Sequence, residues 1–242
     1  MRPLLVARCT GLTLTSLLCL LILLGGARAG ATISGVSVRG VGSKLSLGAF
    51  VDIAGSDFGS TDNVTHVAYG PGGNAAKYGP VSCTHENDKG TSISCGPIVA
   101  GVGASLAFTV SVDNVAGTLS TATLDYVAPA VTKVALNLAC GSSMPTAGGS
   151  SCQVVISGGN FGPPGNTDVS VKYGPASAVP ADLTKYTPAS CTVDSNTQIS
   201  CTPGPGVGKG LKWTVEADGQ ASGASSDTTD YASPEITGVT AG

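Results

Sequence analysis

Val51-Asp-Ile-Ala-Gly-Ser-Asp-Phe-Gly59 is repeated, in kind, by Val154-Val-Ile-Ser-Gly-Gly-Asn-Phe-Gly162. Each is a short apolar, β-branched run that stops at a turn built from Gly, Asp or Asn, Phe and Gly, the pattern of a strand entering a tight corner. The correspondence extends downstream. Cys83 and Ser92-Ile-Ser-Cys95 are matched by Cys191 and Gln198-Ile-Ser-Cys201, and Gly101-Val-Gly103 is matched by Gly206-Val-Gly208. Tyr126-Val-Ala-Pro129 is matched by Tyr231-Ala-Ser-Pro234, so the offset from Gly101 to Gly206 and from Tyr126 to Tyr231 is the same 105 residues. A period of that length is a whole domain rather than a solenoid unit. Residues present in both copies are framework by expectation, whereas a catalytic residue belongs in one copy only.

Around these anchors the chain reads as short strands. Thr32–Val38, Phe50–Ala54, His66–Tyr69, Val81–Thr84, Ser92–Cys95, Ala107–Val112 and Leu119–Tyr126 alternate or run apolar between turn signals. The second copy repeats them over Val131–Leu138, Gln153–Ser157, Val169–Tyr173, Ala189–Val193, Thr197–Thr202, Leu211–Glu216 and Thr228–Tyr231. About seven strands per ~100 residues without sustained helical periodicity predicts an all-β fold, two tandem immunoglobulin-like β-sandwiches. The connection Val127-Ala-Pro-Ala130 is short, so the two should sit end to end with little swing. Pro234-Glu-Ile-Thr-Gly-Val239 repeats Pro129-Ala-Val-Thr-Lys-Val134 and reads as the start of a truncated third repeat, 234–242.

The first 29 residues have another character. Arg2 and Arg8 precede a nearly unbroken apolar run from Leu12 to Leu24, and Ala27-Arg28-Ala29 has a small-x-small cleavage pattern. This predicts a signal peptide, 1–29, cut before Gly30; as a helix, the apolar run spans only ~20 Å against ~30 Å of bilayer core. Removing Arg2, Arg8 and Arg28 from the 12 basic side chains leaves 9 against 15 acidic ones, a net charge of −6. That surface is a poor match for nucleic acid and lacks a basic stripe for anionic lipid. No second membrane span is expected in the mature chain as given.

Cys9 and Cys19 leave with the signal segment, and six cysteines remain. An even number in an exported chain reads as disulfides. The repeat puts Cys83 and Cys95 in the places of Cys191 and Cys201, so each pair is expected within its own copy, leaving Cys140 to pair with Cys152. Each closes a loop of roughly ten to a dozen residues, worth about 2–3 kcal/mol on a chain-entropy estimate. A zinc site is the rival reading, but no Cys-x-x-Cys occurs and neither His66 nor His85 has a counterpart in the second copy. Asn63-Val-Thr65 is a glycan acceptor sequence on a predicted exposed turn.

Other constellations lead to structure rather than chemistry. Gly206-Val-Gly-Lys-Gly210 lacks the Ser or Thr and the following helix of a phosphate loop. His85-Glu-Asn-Asp88 reads as an exposed hairpin tip, and Asp57, Asp62 and Asp168 as turn formers whose spacing is not that of a dedicated calcium loop. No catalytic residue, cofactor site or metal site is predicted.

A Pro-x-Ile/Val-Thr start, the Gly-x-Asn/Asp-Phe-Gly corner, Cys…Ile-Ser-Cys, Gly-Val-Gly and a closing Tyr together resemble the IPT/TIG domain, the E-set immunoglobulin-like fold shared by plexins and transcription factors. The resemblance covers 30–128 and 129–233, with Phe58-Gly59 and Phe161-Gly162, Tyr126 and Tyr231 as its best anchors. The first copy departs from the second in having Ser37 and Ala49 near the places of Cys140 and Cys152. The extracellular, plexin-like branch is implied, and with it a secreted or cell-surface, non-enzymatic recognition or spacer module with an extracellular protein or glycan partner. Cell-surface attachment would follow if the natural protein continues to a membrane anchor. The resemblance also implies an alternative, a carbohydrate-binding accessory module of a glycan-processing enzyme, using Tyr69, Tyr78, Tyr173 and Tyr186 as exposed platforms. The intracellular branch that binds DNA does not suit an exported, acidic chain.

Overall fold

The computed structural model describes residues 30–40, 42–72, 74–149, 151–177, 182–236 and 238–239. The signal segment, 1–29, lies outside the described residues. The fold is all β, an immunoglobulin-like sandwich architecture with one short 3₁₀ turn among the described residues. In the first half, β1 (Thr32–Val38), β2 (Val51–Ser56), β3 (Thr65–Gly70), β4 (Tyr78–His85), β5 (Ser92–Cys95), β6 (Leu106–Val112), β7 (Val115–Ala116) and β8 (Thr123–Leu124) run in the order β1-β2-β5-β4-β3-β6-β7, with β8 also on β6. β4 is the strand that changes partners. Its first half pairs with β3, Val81 opposite Val67, and its second half with β5, Cys83 opposite Cys95. The sheet thereby folds over onto itself and encloses a core.

That core comes from the strand period of two. Leu106, Phe108, Val110 and Val112 of β6 all point inward against Val51 and Ile53 of β2, Val67 and Tyr69 of β3 and Ile93 of β5. The second half has β9 (Ala130–Leu136), β10 (Val154–Gly159), β11 (Val169–Pro175), β12 (Ser190–Ser195), β13 (Gln198–Thr202), β14 (Leu211–Ala217) and β15 (Gln220–Ala221). They form two sheets, β12-β13-β10-β9 and β11-β14-β15, around a separate core containing Val154, Ile156, Phe161, Tyr173, Trp213 and Val215. Here the partner-changing strand is divided: Tyr186 makes an isolated bridge to Tyr173, and β12 starts only at Ser190.

The closing strands expected over Leu119–Tyr126 and Thr228–Tyr231 are much shorter. Beyond β8 they reduce to isolated bridges, Leu45 with Tyr126, Met144 with Tyr231 and Leu211 with Thr229. Ser120 and Ser225 explain the shortfall. Each hydroxyl accepts the β6 or β14 amide that a partner strand would have taken, from Phe108 at 2.8 Å and Trp213 at 3.0 Å. The end of the predicted strand Val131–Leu138 is instead a 3₁₀ turn, Leu138–Cys140, because the Asn137 side chain accepts the Cys140 amide and caps it.

Three disulfides are present among the described residues: Cys83–Cys95, Cys140–Cys152 and Cys191–Cys201. The first and third each tie directly opposed residues of neighbouring strands, β4 to β5 and β12 to β13.

Candidate functional site

Three tyrosines gather at one end of each core. In the first, the Tyr69 and Tyr126 hydroxyls are 2.8 Å apart, Tyr126 donates to the Val99 carbonyl at 2.9 Å, and Tyr78 donates to the Val102 carbonyl at 2.9 Å. In the second, Tyr173 and Tyr231 hydroxyls lie 2.6 Å apart, Tyr231 donates to the Gly204 carbonyl at 2.7 Å, and Tyr186 donates to the Val207 carbonyl at 2.8 Å. The rings tether the Gly-Val-Gly loops. A methyl group on Gly101 or Gly206 would stand 2.6 Å from the Tyr126 or Tyr231 hydroxyl, so glycine is needed there for close approach.

Tyrosine burial corrects one expectation. Tyr69 and Tyr173 are fully buried, Tyr78 is 7% exposed and Tyr186 is half-buried, so these rings are not the exposed platforms a sugar would stack on. Burial pushes the Tyr69 hydroxyl up to about 12, with its bond to Tyr126 acting the other way. Burial likewise raises Tyr126, Tyr173 and Tyr231. Tyr69, Tyr78 and Tyr173 sit on strands, whereas Tyr126, Tyr186 and Tyr231 make only isolated bridges. Which face is inward is legible only where the alternation with Val67 and Val171 is followed through.

The other singled-out residues have local duties. Gly206–Gly210 is a tethered turn leading into β14, not a phosphate cradle. His85 is not at a hairpin tip: it ends β4 half-buried, its Nε2 2.8 Å from the Phe58 carbonyl. Asp57 and its counterpart Asn160 occupy the left-handed region at φ 62° and 63°, where short polar side chains are tolerated. No group of three or more His, Cys, Asp or Glu side chains among the described residues is placed to hold a metal. Asn63 is half-buried; its amide nitrogen donates to Asp113 at 2.5 Å and its oxygen accepts the Ser60 amide at 2.7 Å.

The most elaborate polar arrangement lies where the two cores meet, and sequence reasoning missed it. Lys77 sits 5.3 Å over the Tyr78 ring and reaches across to Asp168 at 2.8 Å and Asp218 at 3.2 Å. Burial alone would lower the ammonium, but the hydrogen bonds to Asp168 and Asp218 outweigh it and the net effect is upward. The Gln220 side-chain amide donates to the Tyr126 carbonyl at 3.0 Å. Val102, 1% exposed, tucks against Gly162, and Gly103 lies under the Asp218 carboxylate. Beside this seam is a groove of ≈ 460 Å³ between Lys77, Tyr78, Pro80 and Val99 on one side and Pro163 and Asn166 on the other. A cation, two carboxylates that neutralise it and an apolar rim can fix a joint. They include no activated nucleophile or unpaired base.

No family model and no curated protein matches the chain. Among solved structures it is similar to the surface glycan-binding protein PbSGBP-B from Prevotella bryantii, at 15% identity and TM-score 0.47, over 83% of this chain and 42% of that one. It is also similar to the Yersinia pseudotuberculosis adhesin InvE, at 14% identity and TM-score 0.43, over 86% of this chain and 61% of that one. The chain thus spans less than two thirds of either protein. No helix among the described residues is long and apolar enough to cross a membrane.

Proposed function

We propose that this chain is an exported, non-enzymatic recognition and spacer module, two tandem IPT/TIG-like sandwiches at 30–128 and 129–233 that engage an extracellular protein or glycan. One observation carries the reading. The tyrosines, Phe-Gly corners and cross-strand cysteines duplicated between the halves are used for framework, while the polar cluster of Lys77 with Asp168 and Asp218 joins one sandwich to the next. A molecule whose polar investment goes into its joint is suited to holding binding loops at a fixed spacing. Three disulfides in so small a chain suit an oxidising compartment, and Asn63 is proposed as a glycan acceptor on its outward turn.

The test is to express the full chain in a secreting eukaryotic cell. The expected product begins at Gly30, has no free thiol, loses mass with glycosidase unless Asn63 is changed to Gln, and binds saturably to arrayed extracellular domains or glycans without altering them. Retention in the cytosol with all eight cysteines as free thiols, or turnover of a bound glycan, would overturn the reading.

A further inference from the structure

The seam between the sandwiches has a second edition with nothing seated on it. The tyrosine, lysine and Gly-Val-Gly loop that the first sandwich brings to the seam recur at the far end of the second, although Gly204 stands in the place of Val99. Tyr186 tethers Val207 as Tyr78 tethers Val102, through the ring hydroxyl and the loop carbonyl at 2.8 and 2.9 Å. Lys185 sits 5.2 Å over Tyr186 as Lys77 sits 5.3 Å over Tyr78. The difference is in coverage. Val102 is 1% exposed and Val207 is 65% exposed. A methyl group on Gly103 would stand 2.6 Å from the Asp218 carboxylate, whereas one on Gly208 would meet only Leu211, at 3.9 Å. Lys77 has two carboxylates, and Lys185 has no ion pair among the described residues. Beside Val207 a cavity of ≈ 510 Å³ opens, lined also by Gly208, Lys209, Tyr231, Pro234 and Glu235.

We infer that this end of the second sandwich is a docking socket for a further sandwich of the same kind, joined in line through Pro234, whose leading end carries a carboxylate pair at the positions of Asp168 and Asp218. The inference rests on reading the chain as tandem copies. Charge complementarity defines the occupant: Lys185, seated over Tyr186 as Lys77 is over Tyr78, asks for the same two acids that Lys77 receives.

The leading end of a second copy of this chain is the wrong shape and charge for the socket. The backbone position that Asp168 holds, accepting the amide of Asp218 at 2.8 Å, is held by Val64, which accepts the amide of Asp113 at 2.9 Å. One acid of the pair is therefore absent, and the Asp113 carboxylate is turned onto the Val64 and Asn63 amides. Asn63 also takes the place that Asn166 has beside the seam, so a glycan on it would stand where the first sandwich would have to pack.

The deciding experiment extends the full chain, replacing 234–242 by a repeat of 129–242 so that a second-sandwich leading end follows Ser233. Residual dipolar couplings should then fit one alignment tensor for all three sandwiches, and amide exchange at Val207 should slow by about tenfold relative to the unextended chain. Lys185→Glu should restore fast exchange at Val207 and free the third sandwich to its own tensor, without moving the first two. A third sandwich that aligns independently, or a Lys185→Glu variant that remains docked, overturns the inference. So does head-to-tail association of the unextended chain, which would give the socket to a second copy. Lys77→Glu in the same extended chain is the control. If the first joint is rigid and the second is not, only the socket fails; if neither is rigid, the spacer reading fails.

Discussion

The two sandwiches solve one corner of the fold by different means. Where β1 hands over to β2, the Arg39 amide donates to Phe50 and the side chain bridges Asp52 at 2.8 Å and Glu86 at 2.6 Å. At the same corner of the second sandwich, the Asn137 amide donates to Gln153, its side chain accepts the Cys140 and Gln153 amides, and Cys140–Cys152 closes the loop. Elsewhere the halves agree almost atom for atom in tyrosine hydroxyls, Phe-Gly corner and cross-strand disulfide. Shared features are therefore those the sandwich itself requires. Differences mark positions where several side-chain solutions suffice.

The comparison is most strongly challenged at Trp213, which stacks on Tyr173 at 4.1 Å and stands where the first core has Phe108. Trp213→Ala should destabilise the second sandwich by about 3–5 kcal/mol, as large core truncations do. Hydrogen exchange should show the loss confined to 129–233, and equal loss in both halves would mean the cores unfold as one unit. Removing Cys140 and Cys152 together should lower the urea-derived stability of the second sandwich by about 2–3 kcal/mol. Arg39→Ala, at the matching corner, should move the midpoint far less, because its ion pairs are solvent-exposed.

Tyr126→Phe and Tyr231→Phe should act alike, each costing about 1–3 kcal/mol by leaving a buried hydroxyl partner unsatisfied. They also sharpen the pH behaviour. Tyr69 is pushed up to about 12 in the folded chain, against about 10 when unfolded. Between those values the unfolded chain releases a proton the folded one keeps. The stabilisation is thus complete below pH 10 and falls as pH climbs through 12. Equilibrium denaturation from pH 8 upward should show a decline beginning near pH 10, and a flat profile would contradict it. Smallest is Lys77→Met. Its partly exposed pairs should contribute on the order of 1 kcal/mol or less to either core, yet residual dipolar couplings should show the two sandwiches losing their common alignment.

Much of the framework is legible in the sequence. Val51 to Gly59 and Val154 to Gly162 announce strand and corner because strand propensity and turn chemistry are local, and copying them fixes their meaning. The paired cysteines are local too, ten or twelve residues apart across neighbouring strands. Strand ends were less legible. Ser120 and Ser225 end the closing strands through hydrogen bonds to residues twelve positions away, which no short window displays.

Repetition in the sequence by itself determined the all-β architecture and the recurrence of one sandwich pattern, since each depends on residues near one another along the chain. Only the tertiary structure decided that the tyrosines are core, that Lys77 is a joint and that Val207 lies open where Val102 is covered. The reason is distance along the chain. Lys77 meets Asp218 across 141 positions, and an interaction of that span acquires meaning only once both sandwiches are folded and set end to end.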